Sequence, residues 1–370
     1  MRIHYTVILG LIWSFSILAA PLGLPPVPIP ADNPQTAEKI SLGDKLFHDP
    51  RFSSTGAVSC ATCHERSKGF TDSPLTVSEG INKLTGTRNA PTVINSAYIP
   101  ALFWDGREPT LEAQAGQPFL NPVEMGLQNY EPILKIVRTD ADYQQLFKAA
   151  FNKADLQITI KEANQAIAAF ERTIIAGDSP FDEYYFAGKK DAMSDAARRG
   201  LQVFAGQGRC VSCHTVSQTH ALFTDNRFHN INVGFQRIGK DIQDLTSAFT
   251  KAKQQGANVD IAVLSNKNTS ELGRFAVSGQ LRDLGGFKTP TLRNIAVTAP
   301  YMHDGSLKTL DEVVTFYNQG GISSQGNPIN DFQSGGIRPL NLSKEQQADL
   351  VEFLKALSSP EYQKTAGVAP

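Results

Sequence analysis

Residues 60–64 read CATCH and residues 210–214 read CVSCH, so one unit, Cys-x-x-Cys-His, occurs twice and takes up all four cysteines, Cys60, Cys63, Cys210 and Cys213. Two disulfides, a zinc site or thioredoxin-like dithiol pairs are the plainer uses of four cysteines. A dithiol pair has no need of the histidine that follows. A zinc site normally sets its cysteine pairs closer together or adds a second arm of histidines. With 4 Cys and 7 His in 370 residues, such a unit arises by chance in roughly one chain per thousand, and two copies are far rarer. Covalent haem c accounts for every fixed position: the thiols add to the vinyl groups and the adjacent imidazole reaches the iron from one face. The expectation is two covalently bound haem c groups, with His64 and His214 as axial ligands.

The opposite face of each iron decides the chemistry. An iron with two protein ligands passes electrons, whereas an open face admits peroxide. No histidine lies between His64 and His214, and Met125 is the only methionine of residues 35–187. A His/Met electron-transfer site is therefore open to the first unit only through Met125. The competing reading is a five-coordinate site with a polar distal pocket. Gln114 and Glu124, ten residues apart in WDGREPTLEAQAGQPFLNPVEMG, are its candidates. A carboxylate beside an open iron can take a proton from one peroxide oxygen and return it to the other; the alternative for Glu124 is a solvated charge after a proline turn. For the second unit the candidates are His220, His229, Met302, His303 and Tyr317, among which spacing alone does not choose.

The elements that must position these groups also repeat. Gly43, Leu46 and Phe47 precede the first unit as Gly200, Val203 and Phe204 precede the second. Each copy closes on a helix with a capping box, Thr159/Glu162 before Ala163, Ile167, Phe170 and Ile174, and Ser343/Gln346 before Leu350, Phe353, Leu354 and Leu357. A leading helix, a haem-binding loop and a closing helix outline a cytochrome c domain. The fold class is mainly α, with two such domains at residues 35–187 and 188–370. Strand signals are thin, confined to TPTLRNIAV (289–297) and SSTGAVS (53–59). Residues 1–20 have the layout of a signal peptide, with an uncleaved anchor as the alternative, and residues 21–34 form a proline-rich extended linker. Haem c is attached outside the cytoplasm, so the location expected is the periplasm. With 35 Lys plus Arg against 36 Asp plus Glu, net charge −1, the chain is no nucleic-acid binder.

The motifs RNAPTV, FWDGRE, LEAQAGQPFLNPVEM and KTPTLRNIAVTAPYMHDGSL, with the two CxxCH units, resemble the bacterial di-haem cytochrome c peroxidase/MauG family over nearly all of the mature chain. The resemblance implies that Trp104 lies between the haems and that Gln114 and Glu124 form the distal pocket of the first. It implies a calcium ion between the haems, held by Asn89 and the carbonyls of Thr298 and Pro300, and His303 packed near the haem rather than on its iron. Two departures point to the MauG-like branch. The loop after the first unit, ERSKGFTDSPLTVSEGIN, has no histidine to block the peroxide haem, and Tyr317 stands where the peroxidases carry a methionine on the second iron. Without the resemblance, Tyr317 reads equally as an aromatic packed beside Val313 and Phe316. A phenolate favours ferric and higher states where a thioether favours ferrous iron.

The function implied is a periplasmic oxidoreductase that uses hydrogen peroxide to form high-valent haem and oxidise a protein partner. One alternative is a peroxidase that detoxifies peroxide with electrons from a small cytochrome c or cupredoxin. The other is a non-catalytic di-haem electron carrier.

Overall fold

A computed structural model describes residues 20–321 and 330–367; the expected signal segment at residues 1–20 lies outside them except for Ala20. Two helix crossings organise the chain. Ala37–His48 packs on Ile160–Glu171, and Asp195–Ala205 packs on Lys344–Lys355. The helices begin where the sequence places their caps, with Thr159/Glu162 and Ser343/Gln346 closing reciprocal capping boxes.

Each crossing is built on a glycine. A Cβ on Gly43 would fall 1.9 Å from the carbonyl oxygen of Ala166, and one on Gly200 would fall 2.0 Å from that of Asp349. Bare backbone at these points lets the helix axes close, and an aromatic pair follows at the same offset. Phe47 meets Phe170 with ring centroids 5.2 Å apart, and Phe204 meets Phe353 at 5.0 Å. The repeated Gly and Phe of the sequence are therefore two halves of one packing device.

Around each crossing grows an apolar core. The first includes Leu42, Phe52, Phe119, Tyr143 and Ile167, the second Phe181, Val203, Phe223, Phe353 and Leu357. Phe181 joins the second core ahead of the expected boundary at 187, and Tyr362 returns to the first. A third cluster, Phe235, Phe249, Val263, Leu272 and Phe275, is carried by Ile242–Gln254, Val259–Ser265 and the turns after them. The repeat gave no sign of it, because only the second half contains it.

Two expectations change. The proline-rich stretch at 21–34 is extended, but it is a strap rather than a free linker. The Gly23 carbonyl accepts from Arg293 Nη2 at 2.7 Å and from Ala221 N at 2.9 Å, and the Pro25 carbonyl accepts from Tyr98 Oη at 2.9 Å. Asn33, fully buried, donates to Glu112 and to the Gln165 carbonyl. The segments at 289–297 and 53–59 are not strands. Pro290 lacks the N–H a ladder needs, and side chains from Thr289 to Leu292 line a cavity instead. Among the described residues the one sheet pairs Phe228–His229 antiparallel with Phe287–Lys288. No helix among them is long and apolar enough to cross a bilayer.

Gly43→Ala and Gly200→Ala should each lower stability in urea by about 1–3 kcal/mol, the usual cost of overpacking. Gly335→Ala, where an added Cβ meets nothing within 4 Å, should stay within about 0.5 kcal/mol.

Candidate haem-binding sites

Both CxxCH units take the same local shape. Cys60–Cys63 is one helical turn whose end is closed by His64 N donating to the Cys60 carbonyl at 3.0 Å; Cys210–Ser212 is a tighter turn, with His214 N donating to Cys210 at 2.9 Å. None of the four cysteines is in a disulfide. Burial pushes the Cys63 and Cys210 thiols up to about 12, and Cys60 is raised further.

Each histidine is oriented from behind. His64 Nδ1 lies 3.2 Å from the Phe70 carbonyl, and His214 Nδ1 lies 2.8 Å from that of Phe223. A carbonyl only accepts, so Nδ1 carries the hydrogen and Nε2 keeps its lone pair for a metal. Burial lowers both imidazole pKa values, keeping the rings neutral.

Beside His214 opens a mostly apolar cavity of about 450 Å³ that also takes in Cys210, Cys213 and Tyr317. No aspartate or glutamate lines it, while Arg209, Lys288 and Arg338 do. Arg209 Nε is sealed from solvent without a hydrogen bond. Lys288 makes no side-chain hydrogen bond among the described residues, and burial lowers its pKa to about 8, with Asp225 opposing the shift. An apolar slot with thiols, a metal-ready imidazole and cations on its wall fits a haem, a flat apolar macrocycle with two carboxylates.

The cavity also separates the five candidates for the far face of the second iron. His303 donates to or accepts from Glu271 at 3.0 Å and stacks on Phe287 with centroids 3.6 Å apart. His229 is tied to Asp225 at 2.9 Å and leans on Cys213, the main reason its pKa rises to about 9. His220 pairs with Thr219, away from the cavity wall. His229 and His303 line the cavity with Met302 and Tyr317, but each has a ring nitrogen paired with a carboxylate. The Tyr317 hydroxyl makes no hydrogen bond among the described residues; burial, then Cys210 and Cys213 nearby, push its pKa up.

Around the first unit the buried groups are acids. Glu124 is not a solvated charge: its Oε2 is sealed and unbonded, and burial raises its pKa, Asp260 adding to the shift and Arg107 opposing it. Glu171 Oε2 and both Asp72 carboxylate oxygens are sealed and unbonded as well. Glu171 and Glu124 act electrostatically on Cys60, Asp72 on Cys63 and His64. These orphaned oxygens beside Cys60, Cys63 and His64 fit a site completed by a bound group, and the match of His64 to His214 makes that group a second haem. Gln114 sits on Leu111–Ala115, one short helix ahead of the turn that carries Glu124, and no hydrogen bond joins the two side chains. Met125 is buried in the first core.

Trp104, Asn89, Thr298 and Pro300 all lie on the wall of the His214 cavity. Trp104 Nε1 donates to the Asn89 carbonyl at 2.9 Å, and its own carbonyl accepts from Lys288 N at 2.8 Å. Asn89 Nδ2 is given to the Leu75 and Thr76 carbonyls, both at 3.3 Å. That leaves Asn89 Oδ1 and the Thr298 and Pro300 carbonyls without donors among the described residues. An all-oxygen set of this kind suits calcium.

Behind this wall runs a buried ion chain. Asp105, fully buried, accepts from Arg88 Nη1 at 2.6 Å and from Arg107 Nη1 at 2.9 Å. Burial alone would raise its carboxyl, but Arg107 and Arg88 hold it at about 2. Arg107 continues to Asp260, and Asp260 Oδ2 accepts from Asn121 Nδ2 at 2.5 Å. Sequence reasoning passed over Arg88, Asp105, Arg107, Asn121 and Asp260. Alternating charge in RNAP and WDGR was the one available signal; nothing in the Asp260 segment marked it.

The profile of the di-haem cytochrome c peroxidase family matches residues 37–191. The chain is 37% identical to the cytochrome-c peroxidase IdrP1 of Denitromonas iodatirespirans, over 92% of its own length and 87% of that protein's. It is 34% identical to the methylamine utilization protein MauG of Methylorubrum extorquens, over 90% of its length and 82% of the relative's. A solved MauG-like protein associated with microbial copper homeostasis superposes with a TM-score of 0.75 at 33% identity, covering 93% of this chain and 95% of that one.

Asp105→Ala leaves Arg88 and Arg107 buried against each other, so global stability should fall by about 3–5 kcal/mol. Chemical denaturation of the haem-loaded protein measures it.

Proposed function

We propose, for a chain that belongs to the di-haem cytochrome c peroxidase family, that it reduces hydrogen peroxide at the His64 site and draws the electrons, through Trp104 and the His214 site, from side chains of a protein partner. What carries this reading is Tyr317: its phenol shares the cavity of His214 and lies near Cys210 and Cys213, without a hydrogen bond among the described residues. A haem held by Cys60, Cys63 and His64 would supply the iron for peroxide cleavage, and one held by Cys210, Cys213, His214 and Tyr317 would supply a second redox centre.

The chain's own residues do the rest. Cys60 and Cys63, and Cys210 and Cys213, hold the two macrocycles by thioether bonds, with His64 and His214 presenting Nε2. Glu124 Oε2 takes a proton from one peroxide oxygen and delivers it to the departing one. Two electrons and two protons convert the peroxide to two waters. Gln114 orients the substrate from the helix before it. Trp104, its Nε1–H fixed on the Asn89 carbonyl, is the aromatic step between the sites. Asn89, Thr298 and Pro300 hold calcium, and His303 packs beside the second macrocycle. Residues 1–20 direct the chain to the periplasm, where the partner is met. A second reading, peroxide detoxification with a small cytochrome c or cupredoxin as donor, is favoured by the 37% identity to a cytochrome-c peroxidase.

Intact mass should exceed the processed polypeptide by two haem groups. On that loaded protein, Glu124→Gln should slow the stopped-flow reaction with peroxide by about a hundredfold with haem content unchanged; unaltered kinetics would return Glu124 to a structural role.

Tyr317→Met should raise the potential of the second haem, because sulfur stabilises ferrous iron, and abolish oxidation of a protein partner while small donors still react. Redox titration of the variant checks it: an unmoved potential reduces Tyr317 to packing and leaves the detoxification reading in place.

A further inference from the structure

Glu124 stands on a turn that something else must hold still. Asn121, fully buried, builds that turn: its carbonyl accepts from Glu124 N at 3.1 Å and Gly126 N at 2.9 Å, and its Oδ1 accepts from Val123 N at 3.1 Å. The one remaining hydrogen-bonding group of the Asn121 side chain, Nδ2, is given to Asp260 Oδ2 at 2.5 Å. Asp260 is 4% exposed and lies on Val259–Ser265, within the third apolar cluster of the second half. Its other oxygen, Oδ1, accepts from Arg107 Nε at 2.9 Å and from Arg107 Nη2.

We propose that Asp260 is a positioning residue for peroxide chemistry: it reaches across from the second half, fixes the 121–126 turn through Asn121, and sets its negative charge against the Glu124 carboxyl. The proposal rests on the reading of Glu124 as the group that moves the proton. An aspartate at the start of a helix has a bland use at the helix terminus, but here neither oxygen serves its own helix. The Val259–Ser265 helix is capped by Asn258, whose Oδ1 accepts from Ile261 N at 3.2 Å. Both Asp260 oxygens are turned to the other half of the chain.

The charges around Glu124 come from four places. Asp260 faces it from the inserted helix, Arg107 from the loop after Trp104, and the Cys60 and Cys63 sulfurs from the haem-binding turn. The turn at Ile81–Lys83, whose Ile81 N donates to the Glu124 carbonyl at 2.8 Å, brings Lys83, which is exposed. Of these, Asp260 is the one that raises the Glu124 pKa after burial itself, and Arg107 opposes it. A base acts when ionised, so the rate of reaction with peroxide climbs with pH through the Glu124 titration. Removing the Asp260 charge eases ionisation of Glu124 and moves that climb to lower pH.

The experiment is the pH profile of the peroxide reaction in the di-haem protein, paired with infrared difference spectra that follow the protonated carboxyl band through the same pH range. Wild type should show one rising limb and a carboxyl band that titrates with it, beside the band of Glu171, and Glu124→Gln should lose the limb and that band. In Asp260→Asn, limb and band should both move to lower pH, so that on the acid side the variant reacts several-fold faster than wild type. A loosened structure alone only slows it. Asp260→Glu keeps the charge but displaces the bond to Asn121, so the limb should stay while the maximal rate falls; it carries the test should Asp260→Asn not accumulate with both haems. A limb unmoved in Asp260→Asn, or a full maximal rate in Asp260→Glu, overturns the proposal. If instead Glu124→Gln keeps the wild-type limb and band, it is the catalytic reading of Glu124 that fails, and the two failures are told apart.

Discussion

The alternating ion chain Arg88, Asp105, Arg107 and Asp260 is the constraint on which the arrangement of the sites depends. Each member is more than nine-tenths buried, where an unpaired charge costs several kcal/mol. No member can leave without stranding its neighbour. The chain starts one residue before Asn89, passes one residue after Trp104, and ends on the partner of Asn121, the residue that turns the backbone toward Glu124. The groups assigned to calcium, to the aromatic bridge and to proton transfer are therefore placed by one set of hydrogen bonds. A buried ion chain is a poor source of stability compared with apolar packing. Its value here is registry, since charge pairing rejects displacements that an oily contact would tolerate.

The two halves share a scaffold and differ in what they turn inward. Gly43 against Ala166 and Gly200 against Asp349 set the same helix separation, and His64 and His214 are aimed by the same carbonyl contact. The divergence lies in the loops. Residues 235–284 add a third apolar cluster to the second half only, and Asp260, carried by that insertion, reaches the first site. The insertion links the framework of one half, through Asn121, to the turn that carries Glu124 in the other.

The helical framework and the cofactor chemistry were legible in the sequence because both are local. A CxxCH unit fixes its turn by itself, a capping box announces a helix start within four residues, and the repeated Gly and Phe mark a crossing twice. What was not legible depends on distance along the chain. Asp260 and Asn121 are joined across 139 residues, and a lone aspartate in an ordinary helix carries no mark of such a partner. The strap at 21–34 failed as a linker for the same reason, since proline content gives an extended backbone and says nothing of Arg293, 270 residues away, donating to Gly23. Glu124 was ambiguous until burial was known, because a carboxylate after a proline looks the same in sequence whether sealed or solvated.

The electrostatics of the sites run in opposite directions, and this asymmetry suits a division of labour. Around Cys60 and His64 the orphaned groups are acids, Glu124, Glu171 and Asp72, and burial raises Glu124 and brings Glu171 to about 8. Raised carboxyls exchange protons near neutral pH, which peroxide cleavage requires and electron transfer does not. Around Cys210 and His214 the wall has cations and a phenol but no carboxylate. Lys288, Arg209 and Arg338 can neutralise the carboxylates of a macrocycle there, and the nearest acid, Asp225, is paired with His229 rather than set on the cavity wall. On the proposed reading, one half breaks the O–O bond and the other holds charge without chemistry of its own. Trp104 lies on the wall of the His214 cavity, its carbonyl on Lys288 and its indole N–H on Asn89, tied to two residues of the same wall.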